Sequence, residues 1–170
     1  MKQEFKRQIV GLLDTHRIMT IATNRADGWP QATIVGYAND GLIIYCFIGR
    51  DSQKYANIAR DPRVSIAIGN DYPQPLQIKG LSIAAKVEFV EDQGEIDHAM
   101  EILLHRYPEY KIMPKPDPKV VPMLRITPDV VSVLDYSNGF AHTDLVRVTA
   151  TDVANYIEAR RHHWAGYHAA

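Results

Sequence analysis

The chain has 170 residues, enough for one domain with a sizeable apolar core, and its 19 basic and 20 acidic side chains leave a formal net charge of −1. That balance favours neither nucleic acid nor an anionic membrane as partner. A lone cysteine, Cys46, excludes a disulfide framework, and no apolar run approaches the ~20 residues that span a bilayer.

The opening MKQEFKRQIV has interspersed charges with no apolar stretch behind it, unlike a signal peptide, so a soluble, cytoplasmic protein is expected. Phe5, Ile9, Leu12 and Leu13 fall on one face of an N-terminal helix ending near His16. Arg17–Thr23 reads as a strand, Asn24–Gly28 as a turn and Pro30–Ala38 as a second strand. Leu42–Ile48, entered through the Asn39-Asp40-Gly41 turn, completes an expected three-stranded meander. Cys46, between Tyr45 and Phe47, reads as a buried small thiol rather than a nucleophile.

Beyond that strand come a polar loop, Gly49–Ser52, a short amphipathic segment to Arg60, the breaker Asp61-Pro62 and a β run, Val64–Ile68. The loop Asn70–Pro75 leads into Leu76–Val90, long for one strand, where Gly80 suits a bend at a barrel corner. Asp92–Tyr107 carries Ile96, Met100, Leu103 and Leu104 at helical spacing, and Pro108 ends it. Tyr107 and Tyr110 read as a packing cluster at that helix end, and Met113–Val121, with three prolines, as a stiff extended loop. Met123–Ile126, Val130–Tyr136 and Leu145–Thr149 are further β runs, with a loop Ser137–Thr143 before the last. Thr151 is placed to cap a closing helix through about His163. About seven short strands joined by tight turns imply a mainly β fold: a small antiparallel barrel with flanking helices, in one domain spanning 1–170.

One stretch bears on chemistry. Ser52 can cap the short helix, with Lys54 in its first turn and Arg50 just before it. Free amides, a hydroxyl and two cations at a helix N-terminus suit a phosphate, although the same residues also make an ordinary cap with solvated charges. His162, His163 and His168 crowd the end of the closing helix and His142 stands alone in a loop. Without an HExxH pattern or zinc-type Cys/His spacing, no metal site is expected.

The order of these segments resembles a known family. Arg17-x-x-x-Ile21-Ala22-Thr23, Gly28-x-Pro30, Asp40-Gly41-Leu42-Ile43-Ile44-Tyr45, Ser52-x-Lys54-x-x-Asn57-Ile58 and Asp61-Pro62-Arg63-Val64 are similar to the FMN-binding split barrels related to pyridoxamine 5′-phosphate oxidase. The resemblance covers most of Arg17 to Val90. It implies a split antiparallel β-barrel and a homodimer with FMN at the subunit interface. It further implies that Thr33, Ile34 and Val35 face the isoalloxazine ring, and that Ser52, Gln53 and Lys54 grip the phosphate. Many members carry arginine where Gln53 stands, and Arg50 is the expected substitute. Gln77, on the long strand, would lie near the flavin, and Trp164 would either cover it across the dimer or anchor the last helix.

In Tyr136–Asp144 (YSNGFAHTD), Tyr136, Gly139 and His142 stand for an aromatic, a glycine and a histidine of the oxidase, and both of the oxidase's arginines are absent. Tyr136 and His142 are therefore the catalytic candidates by position, with vitamin B6 oxidation not expected. An FMN-dependent oxidoreductase of a small molecule is the function implied. The alternatives are a non-catalytic flavin-binding or sensing protein, and a relative that handles the deazaflavin F420 or heme.

Overall fold

The computed structural model describes residues 1–114 and 116–154. Helix α1 (Gln3–Thr15) is followed by β1 (Ile18–Asn24), β2 (Pro30–Gly36), β3 (Ala38–Asp40) and β4 (Ile43–Phe47). Then come α2 (Gln53–Arg60), β5 (Arg63–Gly69), β6 (Lys79–Phe89), α3 (Gln93–Arg106), β7 (Met123–Asp135) and β8 (Thr143–Arg147). The strands form one eight-stranded sheet in the order β2-β1-β5-β6-β7-β4-β3, with β8 also on β7. Every pairing is antiparallel, and the sheet curls into the expected split barrel.

Period-two alternation decides which side faces the core. The row Ile21, Ile66, Ile83, Val131 and Val146 runs across five strands, all buried. Ile9 and Leu13 of α1 insert into the same core, with Phe5 and Leu12 packed at its edge, so the predicted helix face is the one buried. A smaller cluster, including Ala38, Tyr45, Ala99, Leu103 and Tyr107, fastens α3 over β3 and β4. Tyr107 and Tyr110 stack 5.1 Å apart at the end of α3, the expected packing cluster. Among the described residues, no helix is long and apolar enough to cross a membrane.

Five local expectations are corrected. The segment 30–38 is broken at Tyr37: β2 pairs with β1 and β3 with β4, so the expected meander is split between two ends of the sheet. Tyr107 makes that break. Its hydroxyl accepts from Tyr37 N at 3.0 Å and shares its one proton between the Arg17 and Tyr37 carbonyls, while a Cβ on Gly36 would come within 3.0 Å of it.

Met123–Ile126 and Val130–Tyr136 are one strand rather than two. Pro128 has no N–H for the ladder, and the register slips so that Ala85 faces Pro128 while Ala84 faces Val130, a β-bulge. Strand β6 begins at Lys79, because Pro75–Gln77 forms a 3-10 turn. Gly80 consequently lies near the strand's start and serves close approach rather than a corner: a Cβ there would meet the Ile68 carbonyl at 2.6 Å. Finally, the cap of the last helical segment, 150–154, is Thr149 and not Thr151. Asp152 reaches back to the Thr149 N–H at 2.8 Å and hydroxyl at 2.7 Å, the acid-to-cap half of a capping box, which needs the acid three residues after the cap.

Candidate functional site

Helix α2 is positioned by polar bonds to β1 and β2. Arg60 donates to the Asn24 carbonyl at 2.6 Å and Asn24 to Asp61 at 3.0 Å, so the C-terminus of the helix meets the end of β1. One turn back, Asn57, 1% exposed, donates to Thr23 Oγ1 at 2.9 Å and to Gln31 Oε1 at 3.2 Å. A further turn back, Gln53 Nε2 donates to Asn57 Oδ1 at 3.0 Å. The helix N-terminus therefore lies toward the row in which Ile21 pairs with Thr33.

At that N-terminus Ser52 is the cap: its Oγ accepts from Tyr55 N at 3.2 Å and donates to the Gly49 carbonyl at 2.6 Å. Lys54 is half-buried and has no ion pair among the described residues. Its ammonium lies near enough to Cys46 to draw that thiol's pKa down, but burial dominates and pushes the thiol up to about 12. Cys46, with no exposure, is a core side chain and no nucleophile at neutral pH.

Arg50 does not join this group. Its guanidinium sits 5.2 Å from the Tyr55 ring centroid and donates to the Tyr55 hydroxyl at 2.9 Å, with Tyr55 in turn against Phe89. Two residues along a helix are about 200° apart, so Tyr55 and Gln53 lie on opposite sides of α2.

On β2, Gln31, Thr33 and Val35 share one face, and Ile34, 69% exposed, points away from it. Thr33 Oγ1 is buried and finds no hydrogen-bond partner among the described residues. A buried hydroxyl without a partner costs free energy, and a ligand group can supply the missing bond.

The remaining candidates form a second group elsewhere. Gln77 lies in the exposed 3-10 turn before β6, not on the strand as expected. Its neighbour Ile78 accepts from Tyr136 N at 3.0 Å, which ties the turn to the β7–β8 connection. There Tyr136 meets Phe140 at 5.7 Å, and His142 Nε2 lies 3.1 Å from Asp144 Oδ2 with both side chains half-exposed. In the strand order β7 is four places from β2, about 19 Å along the sheet at ~4.8 Å per strand. Along the sheet, Tyr136, His142 and Gln77 thus form a group separate from Ser52, Gln53, Lys54 and Thr33. Trp164, His162, His163 and His168 lie outside the described residues.

Sequence reasoning placed Thr23 and Asn57 in the family motifs but gave neither them nor Gln31 a part in the site; the i, i+4 spacing of Gln53 and Asn57 was the local signal. A wide cleft of about 1370 Å³ lies apart from both groups, between α3 and the proline-rich segment, with His98, His105 and Met100 among its walls. Among the described residues no three His, Cys, Asp or Glu side chains are grouped to hold a metal.

The outer face of the sheet is also unusual. From β2 to β8 one outward row reads Ile34, Thr20, Ala67, Ser82, Ser132 and Leu145. The next reads Ala32, Ala22, Ser65, Ala84, Val130 and Arg147, so a single charge stands among twelve residues. Ile34 and Leu145 are 69% and 74% exposed at its two ends.

Residues 5–135 match the family described as pyridoxamine 5′-phosphate oxidase. Over 70 residues the chain is 30% identical to general stress protein 26 of Bacillus subtilis (strain 168), a match covering 41% of this chain and 49% of that protein. The chain thus aligns with about half the length of this curated relative. Among solved structures, a conserved hypothetical protein of Mycobacterium tuberculosis is similar with a TM-score of 0.67 at 26% identity, over 89% of this chain and 94% of the other. A heme binding protein of Mycobacterium smegmatis is similar with a TM-score of 0.69 at 20% identity, over 86% of this chain and 58% of the other. At that identity the likeness is one of fold.

Proposed function

The chain belongs to the pyridoxamine 5′-phosphate oxidase family, and from that membership we propose a homodimeric FMN-binding oxidoreductase that acts on a small molecule. The observation that carries this reading is the pairing of an unspent cation, Lys54, with the capped N-terminus of α2 beside the orphaned Thr33 hydroxyl. A phosphate needs the first two, and a polar edge of the flavin gives the third its bond. When bound, FMN supplies electron and hydride transfer at its isoalloxazine ring. The chain's part is to hold it: Lys54 and Gln53, at the helix N-terminus that Ser52 caps, toward the phosphate, Thr33 and Val35 toward the ring.

The second group of residues enters through a partner. In a two-fold dimer, patch i on one copy meets patch j on the other and the reverse. The outer face, with one charge among twelve residues and Ile34 and Leu145 at its two ends, supports such an isologous contact. It would bring the β7–β8 end of one protomer to the β2 side of its partner. Gln77 and Tyr136 then border the flavin, and His142, oriented by Asp144, faces the substrate as its hydrogen-bond or proton donor.

The absorption spectrum of the purified protein, with mass analysis of what it releases, tests the cofactor. A flavin spectrum and released FMN support the reading; a released deazaflavin replaces FMN with F420. FMN that neither a reduced nicotinamide nor another donor reduces would leave a binding or sensing protein. Heme handling is the second reading, favoured by the wide cleft whose wall holds His98 and His105, two helical turns apart on α3. An intense Soret band without flavin would replace the first reading with the second.

A further inference from the structure

Asn57 is buried in the middle of a directed hydrogen-bond relay that joins the two parts of the candidate site. Both of its N–H groups are spent, on Thr23 Oγ1 at 2.9 Å and Gln31 Oε1 at 3.2 Å. Its oxygen can then only accept, and it does so from Gln53 Nε2 at 3.0 Å. With Asn57 in this orientation, the amides at both ends are set. Gln53 must turn its NH2 inward along the relay, which leaves one N–H beside the Ser52-capped helix N-terminus. Gln31 must turn its oxygen to Asn57, which leaves its own NH2 as a donor two residues from Thr33 on the same face of β2.

We propose that Asn57 is the positioning residue of the cofactor site, its relay setting an N–H donor at each end: Gln53 for the phosphate and Gln31 for an uncharged acceptor of the ribityl or ring portion. This rests on the FMN reading above. The relay also accounts for a glutamine beside Lys54: a long side chain held by a buried amide presents a donor of fixed direction, whereas a free one would lose rotamer entropy on binding.

The test is titration of the full-length protein, freed of any bound cofactor, with FMN and separately with riboflavin, which lacks the phosphate. The unmodified protein is expected to prefer FMN. Gln53→Leu, at an exposed position, is expected to lower FMN affinity about tenfold and riboflavin affinity less than about twofold, as loss of one charge-assisted bond predicts. Gln31→Leu should weaken both ligands alike. Asn57→Asp, close in shape but unable to donate, should weaken both, and adding Gln53→Leu to it should produce little further loss.

Binding of FMN by the unmodified protein together with unchanged affinities in Gln53→Leu and Asn57→Asp overturns the relay and leaves the FMN reading standing. Strict additivity of the two substitutions also overturns it. No binding of either flavin overturns the FMN reading itself. Should Asn57→Asp fail to fold, the FMN-to-riboflavin ratio of the exposed Gln53→Leu variant against that of Gln31→Leu decides alone: equal ratios overturn the relay.

Discussion

Lys54 and Arg50 are four residues apart and both cationic, yet the fold spends one and spares the other. Arg50 is bound to Tyr55 by a hydrogen bond and by its ring face, whereas Lys54 has no ion pair among the described residues. A charge-assisted bond to a phosphate contributes roughly 1.5–3 kcal/mol, so Lys54→Ala should lower FMN affinity by about ten- to hundredfold. Lys54→Arg should retain most of it, and Arg50→Ala should cost little; fluorescence titration with FMN measures all three. With so few cations at hand, a second phosphate on a vitamin B6 substrate would be poorly matched. Turnover of pyridoxine phosphate by the FMN-loaded protein is therefore expected to be negligible. The Ser52 cap was legible because capping is local. The engagement of Arg50 was not, because it depends on Tyr55 lying against Phe89, more than thirty residues away.

At the scale of elements, two polar locks fix α3 and the last helical segment. The Tyr107 hydroxyl serves three backbone groups at the β2–β3 break and ties α3 to both strands. Tyr107→Phe removes these bonds, while Tyr37 N still donates to the Arg17 carbonyl at 3.1 Å, and should destabilise the protein by about 1 kcal/mol in urea melts. The second lock is the Asp152–Thr149 box. Burial pushes the Asp152 carboxyl up, but bonds from Thr149 and the N-terminal ammonium outweigh it and hold the carboxyl at about 2, below the ordinary 3.8. A depressed native value means that the contribution is full above the unfolded value and is lost as pH falls from 3.8 to about 2. Asp152→Ala should therefore cost about 1 kcal/mol at pH 7, with the difference from the unmodified protein vanishing below about pH 2. Helix positions were readable from the 3.6-residue period of α1 and α3. The break at Tyr37 was not, since a side chain seventy residues later causes it.

For the whole molecule, the decisive feature is the outward face with a single charge among twelve residues. A second copy covering it should give light scattering at twice the chain mass. Ile34→Asp places a charge on that face without entering the core, because Ile34 is 69% exposed. The variant should fold, run as a monomer at micromolar concentration and bind FMN at least tenfold more weakly, since the two residue groups are separated within one chain. A monomeric Ile34→Asp protein that still binds FMN with unchanged affinity would show that one protomer holds the whole site.

The sequence by itself determined the fold class, most of the element order and the buried face of α1; of the face read for α3, Leu103 is buried and Met100 packs beside it, while Ile96 and Leu104 line the cleft. Alternation in strands and helical spacing in α1 and α3 are local consequences of burying one face. It also determined the Ser52 cap and, through the ordered motifs from Arg17 to Arg63, the family. Only the tertiary structure decided which residues meet. It set Asn57 between Thr23 and Gln31, took Arg50 away to Tyr55, moved Gln77 off the strand and left Tyr136 and His142 four strands from Thr33. The physical reason is that hydrogen-bond partners and strand neighbours distant in the chain are selected by global packing, which no window of sequence contains.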